Sequence, residues 1–112
     1  VKLVELNLQS RVNMHKFSYR LNSYQNNSML NICDDYLLGK RLVNKDLTLH
    51  ISKSCFGNNS ITGNTASDLL AASSIINMVG NNIISLAIDS GIGCKNGIKK
   101  INDIQFLIVF KI

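Results

Sequence analysis

Hydrophobic and polar positions alternate in several short runs along this chain. From His15 to Leu21, Phe17, Tyr19 and Leu21 share one face and Lys16, Ser18 and Arg20 the other, the period of a half-buried strand. Asn22–Asn27 is a turn by composition. Ser28–Cys33 returns with Leu30 and Ile32 inward, so the two runs predict a β-hairpin. Asp34 and Asp35 end the second strand, because carboxylates are poor in strands and good at turns. Tyr36–Lys40 has room for one turn, closed by Gly39. Leu47, Leu49 and Ile51 alternate with Thr48, His50 and Ser52 and predict a third strand over 47–53. The polar stretch Asn58–Asn64 then reads as a mobile loop.

The period changes after that loop. Thr65 can cap free amides and Asp68 sits in a first turn, while Leu69, Ala72, Ile76 and Val79 fall on one helical stripe. The spacing predicts a helix over 65–79, with Gly80 as the left-handed residue beyond its end. A second, short helix is capped by Asn81 or Asn82. Its apolar face is Ile83, Ile84, Ala87 and Ile88, and Gly91 stops it. The two helices form an αα-hairpin, and Gly93, Gly97 and the lysines around them form a basic connection. The chain closes with Ile104, Phe106, Ile108, Phe110 and Ile112 on one strand face and Leu107 and Val109 on the other. A strand apolar on both faces belongs in a sheet interior, which makes Phe106 and Ile108 core residues. The order β-β-β-α-α-β predicts an α+β fold, a small sheet with the αα-hairpin packed on one face.

A chain of 112 residues suits one domain, expected over 14–112. Val4, Leu6 and Leu8 alternate within Val1–Asn13, which reads as an extra edge strand or arm, or as a segment upstream of a start at Met14. Cys33, Cys55 and Cys94 are widely spaced, with no Cys-x-x-Cys and no paired histidines. That argues against a zinc site or a disulfide framework and for reduced thiols in a cytoplasmic protein. The longest apolar run, Phe106–Phe110, is strand-length, so no membrane span is expected.

Twelve Lys and Arg against seven Asp and Glu give a net charge of +5, which favours anionic partners, nucleic acid above all. Lys40, Arg41 and Lys45 form one basic cluster; Lys95, Lys99 and Lys100 form another beside Gly91, Gly93 and Gly97. Glycine-rich backbone with lysines can approach phosphates closely. The Gly91-x-Gly93 spacing is not that of a nucleotide-binding P-loop. Cys33 and Asp34 pair a thiol with an acid, but neighbouring carboxylates raise a thiol's pKa and blunt it. Adjacent on a strand, Asp34 and Asp35 point to opposite faces, and a turn carboxylate more commonly caps backbone amides. His15 and His50 have no partner implied by spacing.

From Met14 onward the chain resembles the archaeal domain-of-unknown-function family numbered 424. The likeness lies in Cys33-Asp34-Asp35-Tyr36-Leu37-Leu38-Gly39-Lys40, then Leu49–Gly57 with Phe56 and Gly57, then Ala72–Gly80 with Asn77 and Gly80, and Ser85–Ile88. One departure stands out. Where the family carries a Gly-Ile/Val-Pro-His-Ala-Gln segment, this chain reads Asp103-Ile104-Gln105-Phe106-Leu107-Ile108, with Phe106 at the His position and Ile108 at the Gln position. The resemblance brings no activity with it; it implies an archaeal-type protein with a translation-related role. The expected function is a non-enzymatic RNA- or ribosome-associated protein without cofactor or metal, gripping phosphates through the two basic clusters. The alternative is a protein–protein adaptor using the sheet face or the αα-hairpin. An enzyme built on Cys33 and Asp34 lacks a third group.

Overall fold

Eight strands and three helices follow one another along residues 15–111, the part of the chain that the computed structural model describes. In order they are β1 (Lys16–Tyr24), β2 (Asn27–Asp34), β3 (Arg41–Asn44), β4 (Leu47–His50), α1 (Lys53–Phe56), β5 (Asn59–Thr62), α2 (Gly63–Ala72), β6 (Ile75–Val79), α3 (Asn81–Asp89), β7 (Lys99–Ile101) and β8 (Ile104–Phe110). Single 3-10 turns span Asp35–Leu37 and Lys95–Gly97. The segment Val1–Asn13, Met14 and Ile112 lie outside the described residues.

Six strands form one sheet in the order β5-β1-β2-β6-β8-β7, and β3 and β4 form a separate hairpin. Only β2 and β6 run parallel; every other pair in the sheet is antiparallel. Two hairpins close with two-residue turns whose residues both have positive φ. These are Gln25 (50°) with Asn26 (67°), and Asn102 (50°) with Asp103 (67°). Such turns match the right-handed twist of the flanking strands, and asparagine and aspartate tolerate the left-handed region.

The sheet is covered unequally. On one face α2 and α3 pack over Phe17, Leu30, Ile32, Ile76, Met78 and Leu107, and Leu70, Ile83, Ile84 and Ala87 close the core from the helix side. On the other face a smaller cluster of Cys33, Leu37, Ile51, Phe56 and Val79 sits under the β3–β4 hairpin and α1, with Phe106 and Ile104 packed against it. Each of the larger side chains contributes about 1.5–3 kcal/mol by leaving water. Among the described residues, none covers the remainder of that second face.

The α+β class and the placing of the two main helices on one sheet face both hold, but the elements are cut differently. The stripe read as a helix over 65–79 divides at Ser73-Ser74. Gly63–Ala72 is helix, and Ile75–Val79 is a strand between β2 and β8. The stretch Ile75-Ile76-Asn77-Met78-Val79 alternates as well as it spirals, and burial between two strands decides for the extended form. There is therefore no αα-hairpin; α2 and α3 meet after an intervening strand. Thr65 is inside α2, whose N-cap position is Thr62. Gly80 precedes α3 instead of ending α2. The loop expected over 58–64 contains β5, an edge strand that needs only Ile61 turned inward. The basic connection contains β7. Leu47 is exposed, and β4 stops at His50.

The last strand also departs from expectation. Leu107 is buried in the main core and Phe106 is half-buried against the second cluster, but Ile108 is 54% exposed and Phe110 61%. Ile108 is thus not a core residue, because the hairpin that shelters Phe106 does not extend over it. Chemical denaturation should separate these neighbours. Leu107→Ala should cost about 2–5 kcal/mol, and Ile108→Ala under about 1 kcal/mol. Equal losses would mean that the second face is covered.

Candidate functional site

The strand β2 ends at Asp34, and the chain then turns through Asp35–Leu37. Side chains alternate along β2, so Leu30, Ile32 and Asp34 face the helices and Cys33 faces the opposite cluster. Asp34 is buried, 1% exposed, and is aimed at the start of α3. Its Oδ2 accepts the amide of Asn82 at 3.0 Å and its Oδ1 accepts that of Ile83 at 2.8 Å. These are first-turn amides that the helix cannot satisfy itself, and a carboxylate there also meets the positive end of the helix dipole. Burial pushes the Asp34 carboxyl above its ordinary pKa; the two amides and the charge of His15 pull it back down.

The approach depends on Gly80. Its φ is +125°, and a Cβ placed there would stand 2.3 Å from Asp34 Cγ. The junction extends to β8: the Gly80 amide donates to the Gln105 carbonyl at 2.8 Å, and the Gln105 amide donates to Asn81 Oδ1 at 2.9 Å.

Most of the other motif residues also hold backbone in place. Gly39 has φ +88° and donates its amide to the Ile51 carbonyl, and the Ile51 amide donates to the Lys40 carbonyl, which starts the β3–β4 hairpin. Leu38 packs against the second cluster. Phe56 is buried, and its carbonyl accepts the buried Ser18 hydroxyl at 3.0 Å. A Cβ on Gly57 would stand 1.9 Å from the Tyr19 carbonyl oxygen. Cys33 is fully buried. Burial first, then the charges of Asp34 and Asp35, push its thiol from 9.0 up to about 12. A thiol so placed is inert rather than nucleophilic. His50 is exposed and paired in register with Arg41, and His15 is exposed ahead of β1. Among the described residues no three His, Cys, Asp or Glu side chains are grouped as a metal site requires.

The two basic clusters lie on neighbouring hairpins. Lys40 and Arg41 lead into β3 and Lys45 is in its turn; Lys99 and Lys100 are in β7 and Lys95 is in the turn before it. All six are exposed. The strands β3 and β7 lie against each other, and Asn102 Nδ2 donates to the Val43 carbonyl at 2.9 Å. That bond is two residues from Lys45 on one side and two from Lys100 on the other. The strand character of β7, which links the clusters, was hidden in a stretch that reads as loop.

A second surface lies on the sheet face that the adaptor alternative invokes, at residues the sequence reading did not single out for it. The open half of the sheet presents Tyr24, Met29, Ile75, Asn77, Ile108 and Phe110 around one shallow groove. Asn77, a motif residue, is part of this lining. The signal for the groove was present in the even-numbered positions of β8, but alternation alone cannot tell a covered face from an open one.

No described helix is long and apolar enough to cross a membrane. A family model described as protein of unknown function (DUF424) matches residues 22–112. The fold is similar to the crystal structure of an uncharacterized conserved protein from Methanopyrus kandleri, at a TM-score of 0.74 and 22% identity, over 87% of this chain and 92% of that one. No curated protein matches the chain.

The thiols provide a test. At about pH 8, a small alkylating reagent should modify Cys55 and Cys94, which are exposed, and leave Cys33 untouched until the protein is unfolded. Mass spectrometry should count two adducts on the native protein and three after denaturation. Native labelling of Cys33 at the rate of the other two would restore it as a candidate nucleophile.

Proposed function

This chain belongs to the DUF424 family of proteins of unknown function, and from that premise we propose that it is a non-enzymatic RNA-binding, ribosome-associated protein that holds phosphate backbone on its two basic hairpins. The observation that carries this reading is the contact between β3 and β7, which draws clusters far apart in sequence onto one pair of adjoining hairpins. Cations spread along two short strands suit a run of phosphates better than a single small anion. Exposed lysines attract phosphate by releasing its condensed counterions, without reading bases. The net charge of +5 adds long-range attraction that salt screens within about 10 Å. Cys33 and Asp34, the pair on which an enzyme would have rested, have structural duties that leave neither free for chemistry.

The adaptor reading draws on a different feature, the apolar groove on the open sheet face. Its lining carries no charge, so it would bind independently of salt.

Fluorescence anisotropy with a single-stranded RNA and an RNA hairpin distinguishes the two. Phosphate-driven binding should give a log–log salt slope of roughly −0.7 to −0.9 for each phosphate contacted. Replacing Lys95, Lys99 and Lys100 with Ala should make that slope shallower by about two and weaken both RNAs alike. Absence of binding at about 50 mM salt, or a slope unchanged in the triple variant, would reject the basic hairpins as the RNA surface.

A further inference from the structure

On the sheet face away from α2 and α3, strand register sets the rows that continue beyond the second cluster. Arg20 pairs with Asn31, Asn31 with Asn77, and Asn77 with Ile108. The next row on that face runs Asn22, Met29, Ile75 and Phe110. The groove that Asn77 shares with Tyr24, Met29, Ile75, Ile108 and Phe110 has a volume of about 210 Å³, smaller than the pockets of drug-sized ligands. Its lining is apolar except for the Asn77 carboxamide and the Tyr24 hydroxyl. Asn77 is half-buried, and Met29, Ile75, Ile108 and Phe110 offer its carboxamide no strong side-chain partner. Nor does Asn31 take up its donors. Asn31 Nδ2 donates to the Cys55 carbonyl at 3.0 Å, and the buried Asn31 Oδ1 accepts from no described residue.

The uncommitted carboxamide constrains the occupant. A purely apolar partner would seal Asn77 from water with its donors and acceptor unpaired, which is costly. The occupant must bring a flat apolar surface and hydrogen-bonding groups at its edge. The border of the groove adds a second demand. Arg20, exposed, stands at the β1 end of the Asn77 row, and no acidic residue among those described lines the groove. Phe106, two residues before Ile108, packs against the cluster beneath the basic β3–β4 hairpin. The partner is therefore one whose connecting chain is negative. A planar apolar face, a polar edge and an anionic chain together describe a nucleobase of single-stranded RNA.

On the reading that RNA is held by the two basic hairpins, we infer that this groove binds one unpaired nucleobase of that RNA, its face stacked on Phe110 and its edge on the Asn77 carboxamide. Asn77 is opposite Ile108 and diagonal to Phe110, and diagonal neighbours in a sheet stand about 7–8 Å apart, within reach of a base that touches both. The exposed Phe110 ring supplies a stacking surface that any base can use. A carboxamide sets a donor beside an acceptor, which matches the adjoining donor and acceptor on a base edge. In a duplex that edge is consumed by pairing and both faces of the base are stacked, so paired RNA is excluded from the groove. Arg20 and the hairpin cations are left for the phosphates on either side.

Fluorescence anisotropy of the full chain with three probes at one salt concentration tests this. The probes are a single-stranded RNA of about eight nucleotides, a ribose–phosphate strand of the same length without bases, and a blunt RNA duplex. The wild type should bind the single strand at least about tenfold more tightly than the abasic strand. Phe110→Ala should lose roughly 5- to 100-fold in affinity for the single strand. Asn77→Leu, which removes the hydrogen bonds and keeps the bulk, should lose roughly tenfold. Both variants, with folds checked by thermal unfolding, should bind the abasic strand and the duplex as the wild type does. Replacing Lys95, Lys99 and Lys100 with Ala should instead weaken all three probes. Equal wild-type affinity for the single strand and the abasic strand would overturn the base site and leave the phosphate reading standing. Failure to bind any probe would overturn both. Single-strand affinity unchanged in either folded variant would also overturn the base site and leave this face to the adaptor reading. So would an equal loss on the abasic strand, which would mark the effect as one on the fold.

Discussion

The carboxylate of Asp34 joins the end of a central strand to the first turn of α3, and the arrangement of the whole domain depends on that junction. The strand β2 pairs with β1 on one side and with β6 on the other. The chain leaves β6 through Gly80 directly into α3. Without a group to satisfy the amides of Asn82 and Ile83, that helix would begin with buried, unpaired donors, each costing about 1–3 kcal/mol. Asp34 supplies the acceptors from 48 residues away, which fixes where α3 starts and how it crosses the sheet. Gly80 leaves space for the carboxylate, and Asn81 extends the same junction to β8. Aspartate and glycine are needed together: either one replaced would leave the other's geometry without purpose.

This junction changes what the shared motif means. A cysteine followed by an acid at a strand end looks like reaction chemistry. In the folded chain the two side chains lie on opposite faces of the sheet, one sealed in an apolar cluster and the other capping a helix. Gly39 and Gly57 likewise serve backbone geometry. The motif describes how the domain is built. Among the described residues, the exposed features outside this motif are the two basic hairpins and the apolar sheet face around Ile108 and Phe110.

How much of this could be read from residues alone follows from physical range. The hairpin of β1 and β2 and the last strand were legible because alternation is local. The helix α3 was legible from the apolar residues Ile83, Ile84, Ala87 and Ile88, but its cap was not: the N-cap position is Gly80 rather than Asn81 or Asn82, and Asp34 accepts the first-turn amides. The strand β6 was not legible, since Leu69, Ala72, Ile76 and Val79 satisfy a helical stripe even though Ser73-Ser74 breaks the chain between them. Only the pairing of β6 with both β2 and β8 decides the matter, and that information is non-local. The strands β3, β5 and β7 are four residues or shorter and polar, so their pairing partners define them more than their own sequences do. The capping role of Asp34 was legible in kind, as a turn carboxylate binding amides, but not in address. The exposure of Ile108 was invisible, because it depends on where the β3–β4 hairpin stops.

If Asp34 organises the domain, its removal must be felt first at the amides it holds. Hydrogen exchange of the Asn82 and Ile83 amides, followed by NMR in the wild type and in Asp34→Ala, measures this directly. Slow exchange at both amides in the wild type is expected, with opening free energies near that of global unfolding. In the variant both should exchange faster by at least about tenfold beyond any change in the core strands, as the first turn of α3 frays. Protection of these two amides that is unchanged by the substitution, relative to β2 and β6, would contradict the account.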